Sequence, residues 1–416
     1  MRNIVASILV LVVTAACSSM VNNKADSPVT EAKDHLASLN KHEQELVDAD
    51  RSFSYALFRH IIQAEENGNI FVSPLSVSVA LGMTLNGAKG QTAEAMKKTL
   101  ALQGLSMNEI NTSYSTLIEL LENADPAVKM KLANSIWIRQ GYPVKQSFQE
   151  TGREYFDARI EELDFDNPAS VDIMNQWVSD HTNELIKSII EGPIPKEVIM
   201  YLINTTYFKG DWQMAFDPEV TQSREFTMED GTAEKTEMMS QKDTLAAYVS
   251  DDVQLLDLPY GNGLYSMTLL MPADKEVPIN SFVENKLTAD HMEDWLSSAD
   301  RKKTKISLPK FEMRYKLRMN DVLADMGMEI AFDPSADFSK IGGDRSLNID
   351  EVMHKSYITV DEEGTEAAAA TSVSVELTSV NPNVRTINFN RPFVFLIRER
   401  TSGTVLFMGV MKNPKD

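Results

Sequence analysis

Six histidines have the widest chemical repertoire in this chain: His35, His42, His60, His181, His291 and His354. None stands at a spacing that builds a metal site, and neither HExxH nor CxxC occurs. A GxSxG nucleophile elbow, a Walker A loop and a GxGxxG phosphate cradle are missing too. Gly261-Asn262-Gly263 lies between strand signals and reads as a turn. Carboxylates are plentiful, but none forms a pair set apart by apolar neighbours, the pattern that separates an acid from a base. No residue pattern speaks for an enzyme, a resident metal or a cofactor.

One stretch has a different potential: Asp361–Ser379, DEEGTEAAAATSVSVELTS. Taken in steps of two, Thr365, Ala367, Ala369, Thr371, Val373, Val375 and Leu377 can all be buried. The alternate residues Glu366, Ala368, Ala370, Ser372, Ser374 and Glu376 are polar or small. That is the period of a strand with one face toward a core, so the segment could be added to a sheet. Its smallest residues come first, where bulk, charge or proline would obstruct entry between neighbouring strands. Gly364 is expected to let the backbone bend.

The elements that would receive such a strand can be placed along the chain. An amphipathic helix is expected from near Val47, with Phe53, Leu57, Ile61 and Ile62 on one face, stopping at Asn67-Gly68. Ser73 before Pro74 is a helix start, and Asn86-Gly87 ends that helix. Helical patterns continue to about residue 122 and again from Ser170 to Ile190. Val198–Phe208, VIMYLINTTYF, is a continuous apolar run that fits a strand buried on both faces. Further strand signals are LLDLPY, LYSMTLLMP, KISLPKFEMRYKL, TINFNRPFVFLIRER and TVLFMGVM, the last two joined by the hairpin signal Thr401-Ser402-Gly403. Helices early and strands late predict an α+β fold in one large domain, residues 46–416.

The formal net charge of −21 makes nucleic-acid binding a poor expectation and favours basic partners. At the N-terminus, Arg2 precedes an apolar run from Ile4 to Ala16, too short to span a bilayer and suited to a signal peptide. Cys17, the only cysteine, follows Thr14, Ala15 and Ala16. This resembles a bacterial lipoprotein signal (1–16), cut before Cys17 and lipidated on it. The expectation is an exported protein tethered through polar residues 17–45 to a bacterial membrane, at the cell surface or outer membrane, with no other membrane contact. One cysteine cannot form an internal disulfide.

Several segments together are similar to the serpin family. NIFVSPLSVSVALGMTLNGAKGQTAEAMKKTL resembles its second-helix region, and LINTTYFKGDWQMAFD its central-sheet strand and the turn after it. LPKFEMRYKL, HKSYITVDEEGTEAAAAT and FNRPFVFLIRERTSGTVLFMGVMKNP match in order, as do Met326-Gly327, Ala331-Phe332 and Ala336-Asp337-Phe338-Ser339 between them. The likeness runs from about residue 47 to the end.

The resemblance implies three β-sheets, eight or nine helices and an exposed reactive-centre loop, about residues 362–386. It implies no enzyme but a suicide inhibitor of serine proteases, monomeric, without cofactor or metal. The hinge would be Glu362, Glu363, Gly364, Thr365, Glu366, Ala367, Ala368, Ala369 and Ala370. Counting seventeen residues from Glu362 puts the bait bond at Thr378–Ser379, with Leu377 one register away. Thr378 suits an elastase-like protease; Leu377 would suit chymotrypsin-like or subtilisin-like enzymes, and cysteine proteases could also be taken. Ser73, Ser76, Asn204 and His354 match the family's shutter, a polar cluster that gates strand separation, and Trp212 matches the breach, where the loop enters. Read alone, His354 is a core histidine, Ser73 a helix cap and Trp212 core. A non-inhibitory family member, acting as a binding module or chaperone, is the competing reading; such members tend to carry charge or proline in the hinge. Acidity, together with the lack of an obvious Lys/Arg cluster, is expected to disfavour heparin activation and to steer basic proteases toward the chain.

Overall fold

A computed structural model of the chain describes residues 28–65, 67–342, 347–365 and 384–415. Helix α1 (Pro28–Leu36) precedes α2 (Lys41–Ala64), which starts earlier than Val47 because Asn40 caps it and Glu43 closes a capping box. Within the stretch 17–45 expected as a polar tether, Pro28–Leu36 is helix: Ala32 and Leu36 of α1 are buried, and α1 packs on a later helix, α5. Strand β1 (Ile70–Val72) leads into α3 (Pro74–Leu85), whose start is set by Ser73 accepting from the Ser76 N–H. All twelve residues of α3 are buried, so it has no polar face and runs through the centre of the molecule. Next come helices α4 (Gly90–Thr99) and α5 (Met107–Asn123), strand β2 (Val128–Arg139), α6 (Gln146–Phe156), β3 (Arg159–Leu163) and α7 (Ala169–His181).

The helical pattern expected to continue to Ile190 stops at His181. Beyond it Ile186, Ile189 and Ile190 are buried without helix, and Asn175 Oδ1 accepts from the N–H groups of Ile189 and Ile190. The apolar spacing there reports burial, not period. The apolar run then forms β4 (Met200–Asp211).

The second half supplies β5 (Gln222–Thr227), β6 (Ala233–Val249), β7 (Val253–Tyr260), β8 (Tyr265–Pro272), α8 (Ile279–Lys286), α9 (Ala289–Ser297), β9 (Asp300–Pro309) and β10 (Phe311–Arg318). KISLPKFEMRYKL is thus two strands, broken at Lys310. Two short helices, α10 (Asn320–Leu323) and α11 (Glu329–Phe332), flank a kink at Gly327, whose φ of 108° suits glycine. Strands β11 (Glu351–Val360), β12 (Gly364–Thr365), β13 (Arg385–Asn388), β14 (Phe393–Glu399) and β15 (Val405–Met411) complete the chain.

One six-stranded sheet has the order β10-β11-β12-β4-β2-β3. The other strands form a continuous ladder, β1-β15-β14-β8-β7-β6-β9-β13, with β5 on β6. Strand β6 pairs with β5 and β9 over most of its length and with β7 only at residues 246–249. It therefore belongs to a four-stranded part and to a six-stranded part. The three expected sheets are present, two of them sharing β6. The main core lies between α3 and the sheets; a second apolar cluster lies on the other face of the six-stranded sheet, under Trp177 and Val178 of α7. Among the described residues no helix is long and apolar enough to cross a membrane. Cys17 and the signal segment lie outside those residues.

Candidate functional site

Strands β4 and β11 run parallel and pair directly over only four residues, from Tyr201 and Glu351 to Asn204 and His354. Beyond that point they separate. At the far end of the gap, Gly364 stands opposite Asp211, and Thr365 stands between Gly210 on one side and Val360 on the other. Gly364 and Thr365, in the segment expected as hinge, thus begin a strand antiparallel to both neighbours.

Gly364 is there for a different reason from the one expected. It is not among the residues with left-handed φ. A Cβ on it would lie 2.2 Å from the Gly210 carbonyl oxygen and 2.7 Å from Asp211 Cα. Glycine permits close approach of two backbones, not a bend.

Contacts from distant segments hold this entrance. The Trp212 N–H and its indole Nε1 donate to the carbonyls of Glu363 and Asp361, at 2.8 and 2.9 Å. The indole stacks on Tyr260 with ring centres 4.5 Å apart. The Tyr260 hydroxyl lies 2.6 Å from the Thr365 hydroxyl, both buried. Glu362 is paired with Lys310 at 2.6 Å and accepts from Thr221 at 2.7 Å. Burial alone would raise the Glu362 pKa, but these donors outweigh it and hold the carboxyl below its usual range. Glu363 is shifted up, first by burial and then by Asp361, Asp211 and Glu362 beside it.

A buried polar cluster lies where β4 and β11 still touch. The Ser73 N–H donates to His354 Nε2 at 3.1 Å, and the Ser73 hydroxyl donates to the Leu406 carbonyl at 2.8 Å. The Ser76 hydroxyl donates to the Ser73 carbonyl, and Asn204 Nδ2 to Asn134 Oδ1 at 2.6 Å. The Ser356 hydroxyl donates to the Phe71 carbonyl. Because Nε2 accepts, the ring is neutral with its proton on Nδ1; burial pulls its pKa down to about 4. Three atoms here are buried without a hydrogen-bond partner among the described residues: His354 Nδ1, Asn204 Oδ1 and Asn134 Nδ2. Unmet groups of this kind cost about 1–3 kcal/mol each.

Ser73, Ser76, Asn204 and His354 are therefore brought together, and Trp212 lies with Glu362–Thr365 at the entrance. Sequence reasoning missed Asn134, Ser356, Tyr260 and Lys310. Tyr260 closes the run LLDLPY and Lys310 lies inside KISLPKFEMRYKL, which was their only signal. Glu366, Ala367, Ala368, Ala369, Ala370, Leu377, Thr378 and Ser379 lie outside the described residues. Arg385, the nearest basic residue after the bond expected as bait, donates to the Ala247 carbonyl and pairs with Asp300, so it anchors β13. Among the described residues no group of His, Cys, Asp and Glu side chains could hold a metal.

The family model described as "Serpin (serine protease inhibitor)" matches residues 48–414. The chain is 34% identical to an uncharacterized serpin-like protein of Thermococcus kodakarensis, over 90% of this chain and 87% of that one. Its fold is similar to that of a thermophilic serpin, tengpin, in the native state: TM-score 0.82, 32% identity, 88% and 94% of the two chains. It is also similar to thyroxine-binding globulin in complex with thyroxine, with TM-score 0.80, 26% identity, and 88% and 99% of the chains covered.

Proposed function

Because the chain belongs to the serpin family, which generally comprises protease inhibitors, we propose that it inhibits serine proteases as a suicide substrate. The protease's serine oxygen attacks the Thr378 carbonyl carbon. The C–N bond to Ser379 breaks, the new amine takes the proton, and an ester joins the protease to Thr378. The freed loop then enters the gap between β4 and β11 as a strand, carrying the ester-linked enzyme roughly 40 Å, the length of thirteen residues. Deacylation fails because the protease's catalytic geometry is distorted. Strand addition and strain release are general uses of an inserted loop.

The observation that carries this reading is the register of Gly364 and Thr365 between β4 and β11. Continued along the sequence, it sets Ala367 against Phe208 and Ile358, Ala369 against Thr206 and Ser356, and Thr371 against Asn204 and His354. Those neighbours are all buried, on the face where Thr365 meets Tyr260. The residues whose types allow burial are thus the ones the register would bury. Glu366, on the other face, would meet Lys209, an opposite-charge cross-strand pair.

An elastase-like protease is the first target, with Leu377 offering a second bond to chymotrypsin-like or subtilisin-like enzymes. Export and a lipid anchor on Cys17 would put the reaction at a bacterial surface. The likeness to thyroxine-binding globulin supports a second reading, a non-inhibitory carrier or binding module. Against it stand Gly364, Thr365 and the four alanines in the hinge.

The test mixes the chain from about Ser18 onward with pancreatic elastase on a denaturing gel. The inhibitor gives a covalent band near the summed masses and releases a peptide beginning at Ser379. A peptide beginning at Thr378 moves the bait to Leu377. Cleavage without a stable band by elastase-, trypsin-, chymotrypsin- and subtilisin-like enzymes alike would leave the non-inhibitory reading standing.

A further inference from the structure

The expectation that the chain lacks a Lys/Arg cluster fails at β9, which begins Asp300-Arg301-Lys302-Lys303-Thr304-Lys305. Thr304 and Ile306 are buried, so Lys303 and Lys305 point outward. The register with β6 sets Lys305 directly opposite Lys242, and Lys303 opposite Thr244. Like charges directly opposite across a strand pair are destabilising. Arg301 adds a fourth cation and donates to the Thr244 carbonyl at 2.9 Å. Two neighbouring carboxylates are already engaged: Asp300 with Lys302 and Arg385, and Asp243 with the Thr244 N–H. Whatever local contacts each ammonium makes, the face sums to positive charge in a chain of net charge −21.

Its position says what it could meet. On the other side of β9 lies β13, where Arg385 pairs with Thr304 and Thr386 with Lys305. Arg385 is six residues beyond Ser379, at most about 20 Å of extended chain. A protease of about 220 residues has a radius of gyration near 17 Å. An enzyme seated on the Thr378–Ser379 bond would therefore overhang this face.

We propose that the outward face of β6 and β9, carrying Lys242, Arg301, Lys303 and Lys305, is a second contact surface for the captured protease, fitting an enzyme with carboxylates around its cleft. This rests on reading residues 377–379 as the bait. It reverses, at short range, the preference for basic proteases expected from overall charge. Beyond about 8 Å at physiological salt the summed field is screened, and the local face decides.

The test compares pancreatic elastase with the same enzyme succinylated on its exposed ammonium groups, both calibrated by active-site titration. The readout is the second-order rate of loop consumption at about 0.02 M salt, where screening is weak. That rate counts trapped and merely cleaved product together, while a gel separates them. Failure of inhibition thus appears on the gel, and failure of the contact surface appears in the rates. Each enzyme is run against the wild type, Lys303→Glu/Lys305→Glu and the milder Lys303→Gln/Lys305→Gln, all with circular dichroism and melting checked. The ratio of succinylated to native rate should fall about tenfold from wild type to the Glu variant, less for the Gln variant, and the effect should fade in high salt. A ratio unchanged by either variant overturns the proposal. So does an unchanged ratio together with variant-sensitive retention on immobilised heparin, which would give the face to a polyanion.

Discussion

Thr365 stands in antiparallel register with Gly210, so the first step of a strand addition is already built into the native sheet. On the proposed mechanism, further insertion would depend on the residues after Thr365 and on the contacts that hold the entrance.

Gly364 is the tightest of these positions. Gly364→Ala would force a Cβ against the Gly210 carbonyl, a clash in backbone rather than in a flexible side chain. Overpacking of this kind costs about 1–3 kcal/mol. Insertion should slow, and the moles of chain used per mole of protease blocked should rise on the order of tenfold. Titration of residual protease activity measures this; an unchanged stoichiometry would mean the contact is not on the insertion path.

Thr371 tests the register itself. The extrapolated pairing sets it between Asn204 and His354. Thr371→Arg would bury a charge without a partner, worth several kcal/mol. The loop should still be cut, but without a covalent complex. Thr371→Val should retain trapping. A Thr371→Arg chain that traps as well as wild type would place the strand in another register.

The ion pair between Glu362 and Lys310 closes the entrance of the gap. The Lys310 side chain is 39% exposed, so the pair is worth about 1 kcal/mol at most. Glu362→Gln and Lys310→Met should each shorten the lifetime of the uncleaved native form at elevated temperature. The double variant should be no worse than either single one, since both remove one interaction. Additive losses in a double-mutant cycle would show that the two side chains act separately.

Two buried groups titrate in opposite directions. His354, held down at about 4 by burial, is protonated more readily in the unfolded chain, so its contribution is lost as pH falls from 6.5 toward 4. Asp50 of α2, beside Ser78 and Tyr114, is pushed up to about 7 by burial, partly offset by Ser78. Its folded state keeps the proton, so its contribution is present below about 3.8 and is lost as pH rises toward 7. Each span is worth on the order of 3–4 kcal/mol. The two oppose each other between pH 4 and 6.5. Relative to wild type, Asp50→Asn should gain stability with rising pH, and His354→Gln should lose it. Denaturant midpoints across that range decide; parallel curves for all three proteins would contradict both assignments.

The alternation of buriable with small or polar side chains over residues 365–377 is legible in the sequence because it is local. Ser73-Pro74 is legible because a cap and a proline suffice to start a helix. The partners of Thr365 are not. Tyr260 is 105 residues away, and only the crossing of β7 and β12 brings the hydroxyls together. Gly364 reads as a bend because sequence shows that a position is glycine, not whether torsion or contact demands it. Ile186, Ile189 and Ile190 mimic a helix because spacing alone cannot separate helix from a buried extended segment. The run Arg301-Lys302-Lys303-Thr304-Lys305 is legible in the sequence, but that Lys242 joins it is not, because Lys242 and Lys305 become neighbours only through the β6–β9 register.

The most direct measurement is the melting temperature of the chain before and after loop cleavage by a protease that is then removed. Insertion adds ladder hydrogen bonds and apolar burial, together on the order of 10 kcal/mol. The cleaved protein should therefore melt roughly 15 °C higher or more. A cleaved protein that melts with the native one would mean that the loop does not enter the gap between β4 and β11.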